Sequence, residues 1–345
     1  MDAARTLRVA QVFRSAGAPC VGLGFHGGGR WCVAATGDGV VRILDGLRGT
    51  VRKEVRCAAR GVGAACPGHA ELCAVVADAA PGTAVRYLSL YDNKYLRSFE
   101  GHAAPVCGLA PSPAADAFFS LGEDGRCVLW DAAQRRAAVS SLDVFAADSS
   151  RRPRHAPVAA FARDALVFAA GAAFADARGG GALALYDARH YRAGPFATFN
   201  VDRGALAAVA APEAAARAAR GRWARLEFAP DGETLLISGD AGVHVLLDAF
   251  EGDALAAFAA PLGAGQAAGD ERAAAAAAAF APGGGAVLAG GGDGVLRVWD
   301  PSAPRRPCAA LPGGHAGPVS RVACSPRFGV VATACANAAF WIADA

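Results

Sequence analysis

The chain predicts an all-β ring of seven four-stranded blades closed by its own N-terminal strand, and three observations support this. The first is a cadence. Gly101-His102 is followed, after 27 residues, by Trp130-Asp131. Trp299-Asp300 repeats the ending and Gly314-His315 the opening, while Leu44-Asp45, Tyr91-Asp92, Tyr186-Asp187 and Leu247-Asp248 are degenerate endings. Successive endings lie 47, 39, 56, 61 and 52 residues apart. The shorter intervals match a propeller repeat of about 40–45 residues, and the longer ones require loop insertions. The second observation is an offset: Asp38, Asp124 and Asp293 each precede the ending residue (Leu44, Trp130, Trp299) by six. An even offset puts both residues on one face of a strand, because side chains alternate with period two. The third is a pair of complementary gaps. Leu7–Phe13 reads as a strand without a blade, and the last blade reaches Ala345 one strand short. Joining the two closes the ring and leaves only short sheet edges.

This pattern is that of a seven-bladed WD40 β-propeller. Seven units of about 40–45 residues use roughly 280–315 residues, so residues 1–345 are expected to form one domain. Within it, 1–15 is the closing strand and 205–222 an alanine-rich insertion. Blade 1 shows Trp31–Ala35, the turn Gly37-Asp38-Gly39 and Val40–Leu44. Blade 3 is the clearest, with Val106–Leu109, a Pro111-Ser112-Pro113 turn, Ala117–Leu121, the hairpin signal Gly122-Glu123-Asp124-Gly125, and Cys127–Trp130. Blade 6 follows with Ala286–Ala289, Gly291-Gly292-Asp293-Gly294 and Val295–Trp299. Its first strand falls on the alanine run Ala273–Ala279, although alanine is a poor strand former. Blades 2, 4 and 5 are irregular in their turns, and blade 4 carries an inserted Arg178-Gly179-Gly180-Gly181 loop. Ala205–Arg220 reads as a short surface helix on the way into blade 5. In blade 7, counting six from Asn337 reaches Ala343, so Trp341 lies two residues early. That register predicts a tryptophan packed in its blade without the usual tryptophan role.

Charge is nearly balanced, with 34 basic and 31 acidic side chains, so no global field draws the chain to nucleic acid or membrane. Neither a membrane partner nor direct sequence-specific nucleic-acid binding is expected. The ten cysteines, among them Cys20, Cys57, Cys107 and Cys335, include no Cys-x-x-Cys pair. They read as reduced, mostly buried thiols rather than a disulfide framework or a zinc site. The segment MDAARTLRVAQVFR lacks the apolar run of a secretory signal, and no stretch has the length of a membrane span.

Three constellations resemble catalytic or ligand-binding motifs. Ser120, His102 and Asp124, with Trp130 beside them, would serve a hydrolase as nucleophile, base and orienting group respectively. The same four residues make the hydrogen-bonded lock of a WD blade, in which Asp holds His and Ser links His to the indole. The surroundings offer no nucleophile elbow or oxyanion hole, so the structural reading is preferred and no enzyme is expected. Asp38, Asp293, Trp299 and His315 are assigned to equivalent networks in their blades. Gly22-Leu23-Gly24-Phe25-His26-Gly27 matches a dinucleotide fingerprint, but a strand rather than a helix follows it. His69-Ala70-Glu71 lacks the Pro-Cys-x-x-Cys partner of zinc deaminases. No cofactor or metal is expected.

The arginines suggest a binding face. Arg60 precedes blade 2, Arg151, Arg152 and Arg154 precede blade 4, and Arg217, Arg220 and Arg222 precede blade 5. Loops leading from one blade to the next gather on one rim, so these clusters are expected to converge. Their guanidinium forks suit carboxylate or phosphate, which points to an acidic or phosphorylated peptide.

Several irregular stretches carry a more specific likeness: Arg86–Arg97 (RYLSLYDNKYLR), Leu185-Tyr186-Asp187 through Gly194–Phe199 (GPFATF), Leu247–Gly252 (LDAFEG) and Ala334–Trp341 (ACANAAFW). Together, and in order from about Leu7 to Trp341, they resemble the WD-repeat subunit shared by COMPASS, the SET-domain histone H3 lysine-4 methyltransferase complex, and by RNA 3′-end-processing or phosphatase assemblies. That family ends in a similar Ala-Cys-x-Asn-x-Ala-Phe-Trp. The resemblance implies a nuclear, non-catalytic scaffold that holds the methyltransferase N-terminal region. It also implies a link to the serine-phosphorylated C-terminal tail of RNA polymerase II, or to protein phosphatase 1 or cleavage and polyadenylation subunits. A substrate receptor of a ubiquitin ligase is the alternative within the fold. The chain departs from the family in the insertion before blade 5, the glycine loop of blade 4 and the alanine run of blade 6.

Overall fold

Leu7–Phe13 pairs antiparallel with Ala338–Ala343, from Leu7 opposite Ala343 to Phe13 opposite Ala338. The sheet continues inward through Val330–Ala334 to Arg321–Cys324. Blade 7 is therefore built from both ends of the described chain, and the ring is closed. The computed structural model describes residues 2–15, 17–57, 61–133, 138–143, 155–174, 179–262 and 277–343. Among these stand seven four-stranded sheets; six are meanders in chain order and the seventh is the composite. The architecture is an all-β seven-bladed propeller.

The strands form because each blade is covered on both faces by its neighbours. The two inner strands of blade 1, Trp31–Thr36 and Val40–Asp45, are almost continuously buried, whereas its outer strand Thr50–Arg56 is mostly exposed. Seven apolar clusters fill the boundaries between adjacent blades. Phe99, Phe118 and Trp130 lie between blades 2 and 3, and Phe119, Phe168 and Tyr186 between blades 3 and 4. At the closing seam Phe13 meets Phe340 edge to face at 5.1 Å, a favoured aromatic geometry.

The innermost strand of blade 6 is Ala278–Phe280, the end of the predicted alanine strand; Ala273 to Ala276 lie outside the described residues. Ala278 and Ala279 are fully buried, and Ser238 Oγ of blade 5 accepts the Ala278 N–H at 3.1 Å. Packing between blades overrides the weak strand propensity of alanine here.

The insertion before blade 5 forms two helices, Arg203–Val209 and Pro212–Arg220. Asp202 caps the first by accepting the Ala205 N–H at 2.9 Å, and Pro212 starts the second. They are not simply surface helices, because Leu206, Ala215 and Ala219 are buried in the cluster between blades 4 and 5. The Ala219 carbonyl, left unpaired at the helix end, accepts the Gly180 N–H at 3.0 Å. Gly180 has φ +78°, and a Cβ there would lie 2.0 Å from the Val201 carbonyl oxygen. The glycine loop of blade 4 and the insertion thus form one joint.

Candidate functional site

Each blade sends two kinds of connection to the same face: the loop from its outer strand into the next blade, and the hairpin between its second and third strands. In blade 3 the loop supplies His102 and the hairpin Asp124. The Asp124 carboxylate lies 3.0 Å from His102 Nδ1 and can only accept, so Nδ1 donates. Nε2 then accepts from Ser120 Oγ at 2.7 Å, and the Trp130 indole N–H donates to the same oxygen at 2.7 Å. Burial pushes the Asp124 carboxyl up, but the N–H groups of Ala103 and Arg126 together with His102 outweigh it and hold it below the usual range. Ser120 is completely buried and committed to His102 and Trp130. No substrate carbonyl can reach its Oγ, so the resemblance to a hydrolase triad stops at the distances.

Blade 7 corrects the expectation for Trp341. Its indole N–H donates to Thr333 Oγ1 at 2.7 Å, and Thr333 Oγ1 lies 2.6 Å from His315 Nε2. His315 Nδ1 meets Cys335 Sγ at 3.1 Å, and that sulfur also accepts the Asn337 N–H at 3.4 Å. Thr333 and Cys335 therefore stand where Ser120 and Asp124 stand in blade 3. The two-residue discrepancy comes from the hairpin: residues 122 to 126 separate the paired Leu121 and Cys127, but only residues 335 to 337 separate Ala334 and Ala338. Trp130 opposes Phe118, two before Ser120, and Trp341 opposes Val331, two before Thr333. The preceding glycine has one reason in both blades. A Cβ on Gly101 would lie 3.2 Å from the Trp130 ring, and one on Gly314 2.4 Å from the Trp341 ring. Burial pushes the His315 imidazole down to about 4.

Asp38 and Asp293 do not join such networks. Asp38 accepts from Thr36 Oγ1 at 2.6 Å, and Ala34 occupies the serine position opposite Arg42. Asp293 pairs with Arg297, whose Nη1 lies 2.9 Å away, and Ala289 occupies the serine position. Trp299 is buried with Phe258 at 6.0 Å. With alanine at that position, no histidine in the segment leading into either blade, and Leu44 in place of an indole in blade 1, no such bridge can form, and the turn aspartate takes a local partner instead.

Of the predicted arginine rim, Arg60, Arg151, Arg152 and Arg154 lie outside the described residues. Arg217 and Arg220 sit in the last turn of Pro212–Arg220, where a cation suits the helix dipole. Arg222 follows at the entry to blade 5. It is committed to Asp240, with both the backbone N–H and Nε donating over 2.7 Å to a carboxylate only 3 % exposed. Arg222 is therefore a structural anchor first. Sequence reasoning missed Arg225 and Arg321, which lie inside strands Trp223–Phe228 and Arg321–Cys324 rather than in loops. It also missed Tyr91, Phe196 and Phe250 on the opposite face, each more than half exposed on a turn between third and fourth strands. Among the described residues no helix is long and apolar enough to cross a membrane.

The model of the WD domain, G-beta repeat, matches residues 93–131 and 273–300. The chain is 30 % identical over 338 residues to WD repeat-containing protein 82 of Drosophila melanogaster, covering 98 % of this chain and 95 % of that one. It is 24 % identical to the COMPASS component SWD2 of Saccharomyces cerevisiae, over 69 % of this chain and 63 % of that one. To the Set1 complex component swd2 of Schizosaccharomyces pombe it is 26 % identical, over 68 % and 57 %.

Proposed function

The chain belongs to the WD-repeat family that includes WD repeat-containing protein 82, and on that premise we propose that it is a non-catalytic scaffold subunit of a nuclear histone H3 lysine-4 methyltransferase complex. In this reading it holds the N-terminal region of the SET-domain enzyme and links the complex to the serine-phosphorylated tail of RNA polymerase II. The observation that carries the reading is likeness along the whole ring, 98 % of the chain, joined to relatives named as components of COMPASS and of a Set1 complex. A closed ring whose Ser120–His102 pair is walled in by the Trp130 indole suits a scaffold better than a hydrolase.

Purification of the tagged protein from nuclear extract tests the assembly. A co-purifying H3 lysine-4 methyltransferase is the expected result. A cullin adaptor without one would replace the reading with a ubiquitin-ligase receptor, and cleavage or phosphatase 1 subunits alone would move the chain to those assemblies. The tail contact has its own test, reversal of Arg151, Arg152 and Arg154 to glutamate. This should weaken binding of a serine-phosphorylated tail peptide, and binding should also fall as salt rises, because exposed charges are screened beyond about 8–10 Å. Unchanged affinity would remove that rim from the contact.

A further inference from the structure

Two arginines stand on innermost strands lining the central channel, Arg321 at the start of its strand in blade 7 and Arg225 two residues into its own in blade 5. Arg225, the third residue of Trp223–Phe228, donates from Nη1 to the Val322 carbonyl at 2.7 Å. That bond runs from blade 5 past blade 6 to the innermost strand of blade 7. Arg321 is the neighbour of Val322 and donates to the Ser320 carbonyl at 3.0 Å.

The charges here do not balance. Glu227 Oε2 lies 3.2 Å from Arg225 Nη2, but among the described residues no carboxylate reaches Arg321. Arg225 thus has a carboxylate neighbour, whereas Arg321 has none among the described residues. Burial and the like charge of Arg225 hold Arg321 below the usual guanidinium range, and burial pushes Glu227 above the usual carboxylate range. The groups are hemmed in by protein: Arg321 is half-buried, the Arg225 side chain is 36 % exposed, and Glu227 Oε2 is buried without a hydrogen bond. A guanidinium carries five N–H donors, and an uncompensated charge removed from bulk water is costly until an ion of opposite sign joins it. A cleft lined by one excess charge also concentrates counter-ions.

We propose that this part of the central channel is an oxyanion pocket that receives the phosphate or carboxylate of an acidic peptide side chain, with Arg321 as its principal ligand and Arg225 as the second. The pocket stands on its own geometry; only the choice of the polymerase tail as its source rests on the scaffold reading above.

The test titrates the full-length protein with inorganic phosphate at constant ionic strength. Saturable binding is expected, weakened by about tenfold or more in Arg321→Gln, because a charge-assisted fork is lost. Arg321→Lys keeps the charge without the fork and should fall between the two. Glu227→Gln removes the competing carboxylate and should bind phosphate more tightly. Absence of saturation in the wild type, equal affinity in Arg321→Gln, or weaker binding in Glu227→Gln would each overturn the pocket. A serine-phosphorylated tail peptide should then displace phosphate more effectively than the same peptide with glutamate at that serine. If the glutamate peptide competes and the phosphopeptide does not, the source is an acidic segment; the pocket stands and the tail reading falls.

Discussion

The Trp341 indole N–H donates to Thr333 Oγ1 over 2.7 Å, and through that oxygen the tryptophan is tied to His315. The blade assembled from both ends of the described chain thus carries the same lock as blade 3. Blades 1 and 6, which are continuous in sequence, do without it. The lock therefore occurs both in blade 3, which is continuous in sequence, and in the blade where ring closure joins segments more than three hundred residues apart.

Thr333→Ala should strand the buried indole N–H and one histidine nitrogen, destabilising the protein by about 1–3 kcal/mol. Thr333→Ser keeps the hydroxyl and should cost less. Urea unfolding of the two variants checks this, and equal midpoints would mean that the bridge contributes nothing.

His244 is fully buried, and among the described residues neither ring nitrogen has a partner. Burial pushes it down to about 4, as it does His315. The folded protein holds both rings neutral, while the unfolded chain binds protons below about pH 6.5. Their contribution is therefore fully present above about 6.5 and is lost as pH falls toward 4, at up to roughly 1.4 kcal/mol per pH unit for each group. His244→Leu should flatten this slope and raise stability near neutral pH by about 1 kcal/mol, read as urea midpoints at neutral and mildly acidic pH.

Arg222 and Arg217 lie five residues apart but should respond differently. Arg222→Gln leaves Asp240, 3 % exposed, without its charge partner and should cost about 3–5 kcal/mol. Arg217→Gln, on the half-buried side of a helix end, should change stability by no more than about 0.5 kcal/mol. Thermal unfolding separates the two, and a mild Arg222→Gln would remove its anchoring role.

Phe13 is 7 % exposed and sits edge to face on Phe340. Phe13→Ala should cost about 3 kcal/mol and, because the loss falls on the closing seam, should open the N-terminal strand to limited proteolysis before any other blade is cut. Cleavage elsewhere first would show that the seam is not the weakest closure.

The blade positions were legible because strand period and turn chemistry are local: Asp124, Gly125 and Trp130 announce a hairpin within seven residues. The closing role of Leu7–Phe13 was legible because two gaps in the repeat matched. The blade networks were only half legible. The aspartate marker at Asp38 and Asp293 persists where the hydroxyl partner is alanine, so counting from the turn over-assigned those two. The same count rejected Trp341 because it assumed a constant hairpin length.

By itself the sequence determined a closed seven-bladed ring, its blade order and its likeness to a scaffold family, all encoded in short-range spacing. Only the tertiary structure decided which side chains meet. A three-residue turn brought Trp341 onto Thr333, the Ala219 carbonyl found Gly180, and Arg225 reached Val322 across a skipped blade. Those contacts depend on distances through space between segments well apart in the chain. Periodicity within a strand carries no record of such distances.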